Sequence, residues 1–186
     1  SSVESLGSCT VIASDKTGTL TVNEQTARMI VLADGSKFEI TGTGYNANGI
    51  VNPIGDASIE KAKELAFLGY INNEGHLEYE DKEWHSFGDS IDIAFLSLAK
   101  KINAEKNVTL IEEIPYESEN QYSAVFYEKN GKTYCTVKGS LEKVMAFSQE
   151  KESYKKQNIE LTSQGYRVIA IADGEVKGTT KEDIND

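Results

Sequence analysis

The stretch "YSAVFYEKNGKTYCTVKG", residues 122–139, sets two β-rich runs on either side of Lys-Asn-Gly-Lys. An Asn-Gly pair supplies the positive φ angles that a tight antiparallel turn needs, so the two runs are predicted to form a hairpin. A single hairpin is marginal in water and must find further strands or a helix to cover it. The rest of the chain supplies both. "TARMIVLADGSKFEITG" (26–42) reads as a second hairpin around Asp34-Gly35-Ser36, and "LIEEIPY" (110–116) and "YRVIAIADGEVKG" (166–178) read as strands. "CTVIAS" (9–14) is a short apolar, β-branched run, the pattern of a buried strand whose tip presents Asp15.

Helical spacing appears in "ASIEKAKELAFLGYIN" (57–72), where Ile59, Ala62, Leu65 and Ala66 share a face and Asp56 or Ser58 offers a cap. "SIDIAFLSLAKKIN" (90–103) starts at Asp89 or Ser90 and finishes in two lysines that suit a helix C-terminus. "LEKVMAFS" through "ELTSQG" is predicted helical in two pieces, the second closed by Gly165. "GTGYNANGIVNPIGD" (42–56) reads as loop, and "GHLEYEDKEWHSFGD" (75–89) as an irregular charged segment. The sum is an α+β domain, an antiparallel β-sheet flanked by helices.

Charge and composition exclude several functions. A formal net charge of −11 with scattered lysines argues against a nucleic-acid partner, which needs basic clusters. The longest apolar runs, such as "VIAIA" (168–172), are far short of a membrane-spanning helix. Cys9 and Cys135 are too few and too distant in sequence for a disulfide framework or a zinc site, so both are expected reduced, in a cytosolic setting. The abrupt ends, "SSVESLG" and "TTKEDIND", read as those of a piece cut from a longer protein.

The chemistry concentrates at "SDKTGTLT" (14–21). A carboxylate at a strand tip can attack a phosphoryl group and form an acyl phosphate. An anionic nucleophile approaching an anionic phosphate needs a cation beside it, normally Mg²⁺. Lys16 adds charge, Thr17 and Thr19 offer hydroxyls and backbone N–H groups, and Gly18 lets the backbone approach. Taken alone, "DKTG" also fits an ordinary turn.

The full string resembles the phosphorylation motif of the P-type ATPases, cation pumps that pass through an aspartyl-phosphate. That resemblance implies that Asp15 is the phosphorylated aspartate, with Lys16 and Thr17 positioning phosphate and Asp15 and Thr17 meeting Mg²⁺. It also implies that residues 9–14 form the first strand of a haloacid-dehalogenase-like phosphorylation domain. Phosphatases of that superfamily carry a second aspartate two positions after the nucleophile, as general acid and base. Thr17 cannot play that part near neutral pH, which favours a long-lived acyl phosphate and a pump.

Four further segments resemble the family's nucleotide-binding elements. "GDSIDIAFL" (88–96) is similar to "GDPTEGAL" and places Asp92 where a glutamate usually meets the adenine amino group; otherwise Asp92 is a solvated helix residue behind a capping Asp89. "IPYESENQYSAVFY" (114–127) puts Tyr116 where an aromatic stacks on adenine, or makes it a core aromatic. The family's lysine falls there on Gln121, which carries no charge and implies weaker binding. "TVKGSLEKV" (136–144) resembles the "KGA" element, with Lys138 deep in the pocket, Gly139 admitting the base and Ser140 capping the next helix. "GYRVIAIA" (165–172) resembles the strand whose arginine, here Arg167, meets the phosphates or instead forms a surface ion pair.

"FEITGTGYNANGIV" (38–51) and "LGYINNEG" (68–75) with "WHSFGD" (84–89) are similar to type II pumps, and the His-Pro pair of heavy-metal pumps is absent. The family's later "DPPR"-like and "GDGxND" elements do not occur, so the Mg²⁺ site is incomplete. The expected division is a phosphorylation-domain fragment (1–23), a nucleotide-binding domain (24–175) and a tail (176–186). Its expected ligands are ATP and Mg²⁺, and its partners the rest of the phosphorylation domain, an actuator domain and membrane helices. The parent is expected at a bacterial plasma membrane, with this region on the cytoplasmic side. Alone, the fragment is predicted to bind nucleotide weakly without turnover. Two other readings fit the residues: a nucleotide-sensing or interaction module with a degenerate pocket, and a phosphatase with a large cap. A strand cut from a parallel sheet has open edges, so residues 9–14 have three choices: this chain's own sheet, another copy, or no partner.

Overall fold

A computed structural model of the chain describes residues 6, 9–16, 24–147 and 152–179. In chain order the elements are β1 (Cys9–Lys16), β2 (Ala27–Val31), β3 (Lys37–Ile40), β4 (Val51–Ile54), α1 (Ile59–Ile71), β5 (His76–Glu80) and β6 (Glu83–Phe87). They continue with α2 (Ser90–Lys101), β7 (Thr109–Glu117), β8 (Tyr122–Lys129), β9 (Lys132–Gly139), α3 (Leu141–Met145), α4 (Glu152–Ser163) and β10 (Tyr166–Glu175).

The β8–β9 turn forms as the sequence requires. Asn130 (φ 53°) and Gly131 (φ 76°) both take the left-handed conformation, and Lys129 pairs with Lys132 across the turn. Successive antiparallel pairings extend this hairpin into an eight-stranded sheet of order β4-β3-β2-β1-β10-β9-β8-β7. A separate two-stranded sheet, β5-β6, stands beside it.

The first strand takes the first of its three choices. β1 lies in the middle of the sheet, antiparallel to β10 on one edge (Cys9↔Ala172 through Ser14↔Arg167) and to β2 on the other (Val11↔Val31). Strand periodicity explains its unbroken apolar run. Val11 and Ala13 join the core under α3 and α4, with Val137, Ala170, Ala172, Leu141, Val144 and Leu161. Ile12 points to the opposite core, with Ile30, Phe38, Ile171, Leu65 and Phe95 under α1 and α2. A strand covered on both faces has no solvent side on which to place polar residues.

The helices α1 and α2 pack closely because Gly69 leaves room. A Cβ at that position would stand 2.2 Å from Cδ1 of Phe95. Asp89 caps α2, its Oδ2 accepting the Ile91 N–H at 3.0 Å, and Ser140 caps α3. Ser58 occupies the N-cap of α1 without a side-chain bond.

Two segments differ from expectation. Residues 76–87, read as irregular, form the β5–β6 hairpin. Its turn uses Asp81 (φ 52°) and Lys82 (φ 66°), non-glycine residues in the left-handed region, and its strands are mostly exposed, so neither turn glycine nor apolar alternation marks it. Val51–Ile54, read as loop, form edge strand β4, where Pro53 is tolerated because one edge needs no partner. Cys9 and Cys135 are buried and are not joined in a disulfide. Among the described residues no helix is long and apolar enough to cross a membrane.

Candidate functional site

The loop that leaves α1, the N-terminus of α2 and the ends of β7, β9 and β10 meet around a cleft of about 620 Å³. Of the residues singled out for nucleotide binding, Asp92, Tyr116, Lys138, Gly139 and Arg167 line it, joined by Glu74, Asp89 and Ser123. Gln121 is not among the lining residues. Its backbone turns with φ 60°, and its carbonyl accepts the Ser140 N–H at 3.3 Å.

Lys138 forms the floor. β9 carries its side chain toward α2, where the ammonium donates to Asp92 Oδ1 at 2.5 Å and to the backbone carbonyl of Asn72. It also lies 5.2 Å from the centre of the Phe95 ring. Burial pushes this ammonium below the ordinary lysine range, and the carboxylates of Asp92, Asp89 and Glu74 oppose that shift. Asp92 sits in the first turn of α2, where the helix dipole favours a negative charge, and its Oδ2 accepts the Glu74 N–H at 3.1 Å. Both oxygens of Asp92 therefore have protein partners. The alternative of a solvated Asp92 fails, because it is only 9% exposed.

Tyr116 stands on the edge strand β7, 54% exposed, so its ring presents a face to the cleft and to solvent and is no core aromatic. Its backbone N–H points to Glu74 Oε2 at 3.4 Å. Gly139 is required by its neighbours, since a Cβ there would fall 2.3 Å from the Gln121 carbonyl oxygen and 2.8 Å from Tyr122 Cα. Arg167 opens β10 on the far side, with Nη1 donating to Gln25 Oε1 at 3.3 Å. The cleft thus offers an exposed ring, a buried cation and an exposed guanidinium, within a rim of carboxylates.

The segment "SDKTGTLT" begins next to this rim. Ser14 pairs with Arg167 and donates its hydroxyl to the Arg167 carbonyl at 3.3 Å, and the register slips between Ser14 and Lys16. Asp15 and Lys16 are placed by their backbone within β1; their side chains, and the whole of Thr17, lie outside the described residues. Among the described residues no group of three or more His, Cys, Asp or Glu side chains is arranged to hold a metal.

Sequence reasoning missed the frame behind the site. Asn72, 2% exposed, follows α1 and sends its side-chain amide to the carbonyls of Ser123 (3.1 Å) and Thr136 (3.2 Å), while its Oδ1 accepts the Ser123 hydroxyl at 2.8 Å. Asn73 Nδ2 bonds the carbonyls of Gly69 and Asp92, at 3.0 and 2.8 Å. The traces in sequence are the "LGYINNEG" resemblance, which assigns no role to either asparagine, and a pair of asparagines closing an apolar helix, which reads equally as a cap.

A second cleft of about 510 Å³ opens at the opposite end of β10, lined in part by Thr10, Leu65, Phe67, Tyr127, Lys129 and Asp173. There the Tyr127 hydroxyl donates to Asp173 Oδ1 at 2.7 Å. Burial pushes the Asp173 carboxyl up to about 6, against the lowering effects of the Tyr127 hydrogen bond and of Lys129.

The family model for P-type ATPase, cytoplasmic domain N, matches residues 61–186. The chain is 31% identical to the cation-transporting ATPase pma1 of Synechocystis sp., over 91% of this chain and 21% of that protein. It is 30% identical to calcium-transporting ATPase type 2C member 1 of Bos taurus, over 92% of this chain and 20% of that protein. It is also 30% identical to the probable cation-transporting ATPase F of Mycobacterium tuberculosis (strain ATCC 25618 / H37Rv), over 95% of this chain and 22% of that protein. The chain thus spans about a fifth of the length of the curated relatives it matches. With these matches and a mostly antiparallel sheet carrying the cleft, the chain belongs to the family of the P-type ATPase cytoplasmic domain N.

Proposed function

We propose that this chain is the ATP-binding region of a cation-transporting P-type ATPase, and that in the parent pump ATP held in the Lys138 cleft phosphorylates Asp15. One observation carries the reading. Five residues drawn from four separate sequence segments, Asp92, Tyr116, Lys138, Gly139 and Arg167, converge on a single cleft. The volume of about 620 Å³ lies within the range of small-molecule sites.

In this reading the base stacks on Tyr116, with Lys138 and Asp92 beneath it, and the phosphates run toward Arg167. Gln121, lying outside the lining, gives no direct help, which agrees with weak binding. The Asp15 carboxylate attacks the γ-phosphorus, the bond to the ADP oxygen breaks, and an aspartyl-phosphate forms. Asp15 and Thr17, with ligands from outside these residues, would hold Mg²⁺, which when bound would supply charge neutralisation as the two anions meet. Residues 9–14 would serve in the parent as the first strand of a haloacid-dehalogenase-like phosphorylation domain. Residues 24–175 form the nucleotide-binding domain, and 176–186 return toward the phosphorylation domain. The parent's further partners are the actuator domain and the membrane helices, and the region faces the cytoplasm at a bacterial plasma membrane.

Calorimetric titration of the chain with ATP tests the reading. The expected result is weak binding, reduced by roughly tenfold in both Tyr116→Ala and Lys138→Met, the loss expected for a stacking or charged contact. Labelled ATP with Mg²⁺ should leave no stoichiometric label on Asp15 of the isolated chain. No heat with the wild type, or heat indifferent to both substitutions, would favour the degenerate-pocket module. The existing Lys138–Asp92 pair and the place of Gln121 outside the cleft lining are the observations on that side.

A further inference from the structure

We infer that Asn72 is a positioning residue for nucleotide binding: its side chain fixes the peptide whose carbonyl holds the Lys138 ammonium against the floor of the cleft. This rests on the nucleotide reading above and gives a role to a residue that the sequence reading placed in the "LGYINNEG" segment without assigning it one.

The geometry carries the inference. Asn72 lies one residue beyond α1, where the terminal carbonyls of a helix have no partner within the helix and carry its partial negative charge. Its own N–H is satisfied by the Leu68 carbonyl at 3.0 Å. Its carbonyl oxygen accepts from Lys138 Nζ, so a helix end compensates a buried cation. A peptide just past a helix end is free to swing, and here the side-chain amide prevents it. Nδ2 binds the carbonyls of Ser123 on β8 and Thr136 on β9, and Oδ1 accepts the Ser123 hydroxyl. Three bonds thus tie one peptide to two neighbouring strands. β9 also carries Lys138 itself, two residues beyond Thr136, so the anchor and the anchored ammonium share a strand.

The side-chain type is specific. Two donors and one acceptor are needed at a buried position, which an amide supplies and a carboxylate does not. An aspartate would set its oxygens against the carbonyls of Ser123 and Thr136. Leucine would fill the space and leave both carbonyls and the Ser123 hydroxyl without this partner. Asp92 cannot replace the anchor, because it approaches Lys138 from α2 and its second oxygen is bonded to the Glu74 N–H.

A double-mutant cycle on the 186-residue chain tests this, with ATP affinity measured by calorimetry. Asn72→Ala is expected to weaken ATP binding by about tenfold in the wild-type background, and by less than twofold when Lys138 is already methionine. Equal losses in both backgrounds would mean that Asn72 acts on the fold at large, and would overturn the inference. So would wild-type affinity in Asn72→Ala. If the wild type shows no ATP binding, the nucleotide reading fails by itself. The nitrogen resonance of the Lys138 ammonium then decides for Asn72. Loss of that signal through faster proton exchange in Asn72→Ala supports positioning, and an unchanged signal overturns it. Should Asn72→Ala fail to fold, Ser123→Ala removes a single bond of the anchor, and a loss of about threefold that vanishes in the Lys138→Met background is expected. No loss, or one that persists there, counts against the inference.

Discussion

The face of the sheet covered by α1 and α2 buries a cation at one end and an acid at the other, and it treats them differently. Lys138 meets a carboxylate at 2.5 Å, a helix-end carbonyl and an aromatic ring. Among the described residues Asp173 meets a neutral phenol at 2.7 Å as its side-chain partner, with the Lys129 charge acting from farther away. Burial opposes charge in both places, by the same physics. A built set of counter-groups keeps the lysine within reach of its charged form, whereas Asp173 is left to bind a proton near pH 6. The lesson is that burial alone does not mark a site. What distinguishes the candidate site is the arrangement of partners around the charge.

The sharpest way to break the contrast is to remove the carboxylate from the lysine end. Asp92→Ala leaves the ammonium buried without its charged partner, and a loss of about 3–5 kcal/mol in unfolding free energy is expected from urea titration. Pairing Asp92→Leu with Lys138→Met should recover most of that loss, because no charge is then left alone.

A smaller effect is expected at the acid end, visible as pH dependence. The folded carboxyl of Asp173 titrates near 6 against an ordinary value of 3.8, so the native state holds the proton more tightly than the unfolded chain. Its stabilisation is fully present below about pH 3.8 and is lost as pH rises through about 6. That amounts to roughly 3 kcal/mol at most across the window. Asp173→Asn should flatten this limb of the stability profile and raise the melting temperature at pH 7. A slope unchanged by the substitution would show that other groups set it.

The smallest effect should come from Tyr127→Phe. It removes one donor from Asp173 and is expected to cost about 1 kcal/mol at pH 7, while moving the carboxyl titration further upward. A carbon-detected titration of the Asp173 side chain reads that direction without reference to stability.

Local chemistry made much of the fold legible. Asn130-Gly131 fixed one hairpin, Asp34-Gly35-Ser36 another, and Asp89 the start of α2, since each residue type does its work within a few positions of itself. The β5–β6 hairpin was not legible, because Asp81 and Lys82 take positive φ without glycine and exposed strands need no alternation. The place of β1 was left open among three pairings, because register between strands at opposite ends of the chain depends on tertiary contact. In the site, Tyr116, Lys138 and Arg167 stood out through their motifs. Asn72 fell within the "LGYINNEG" resemblance but without a role, since its partners lie on β8 and β9, far along the chain.

The central position of β1 also sets an order of events in folding. Its partner on one side, β2, is the next strand in the chain, but its partner on the other is the last strand described, with Cys9 facing Ala172. As the isolated chain folds, the two halves of the sheet therefore wait for one another. The amino-terminal ribbon can assemble early, the β7–β9 ribbon later, and only the arrival of residues 166–175 welds them together. Closure of so distant a loop is slow, so the seam between β1 and β10 is where the isolated chain stays open longest to wrong partners.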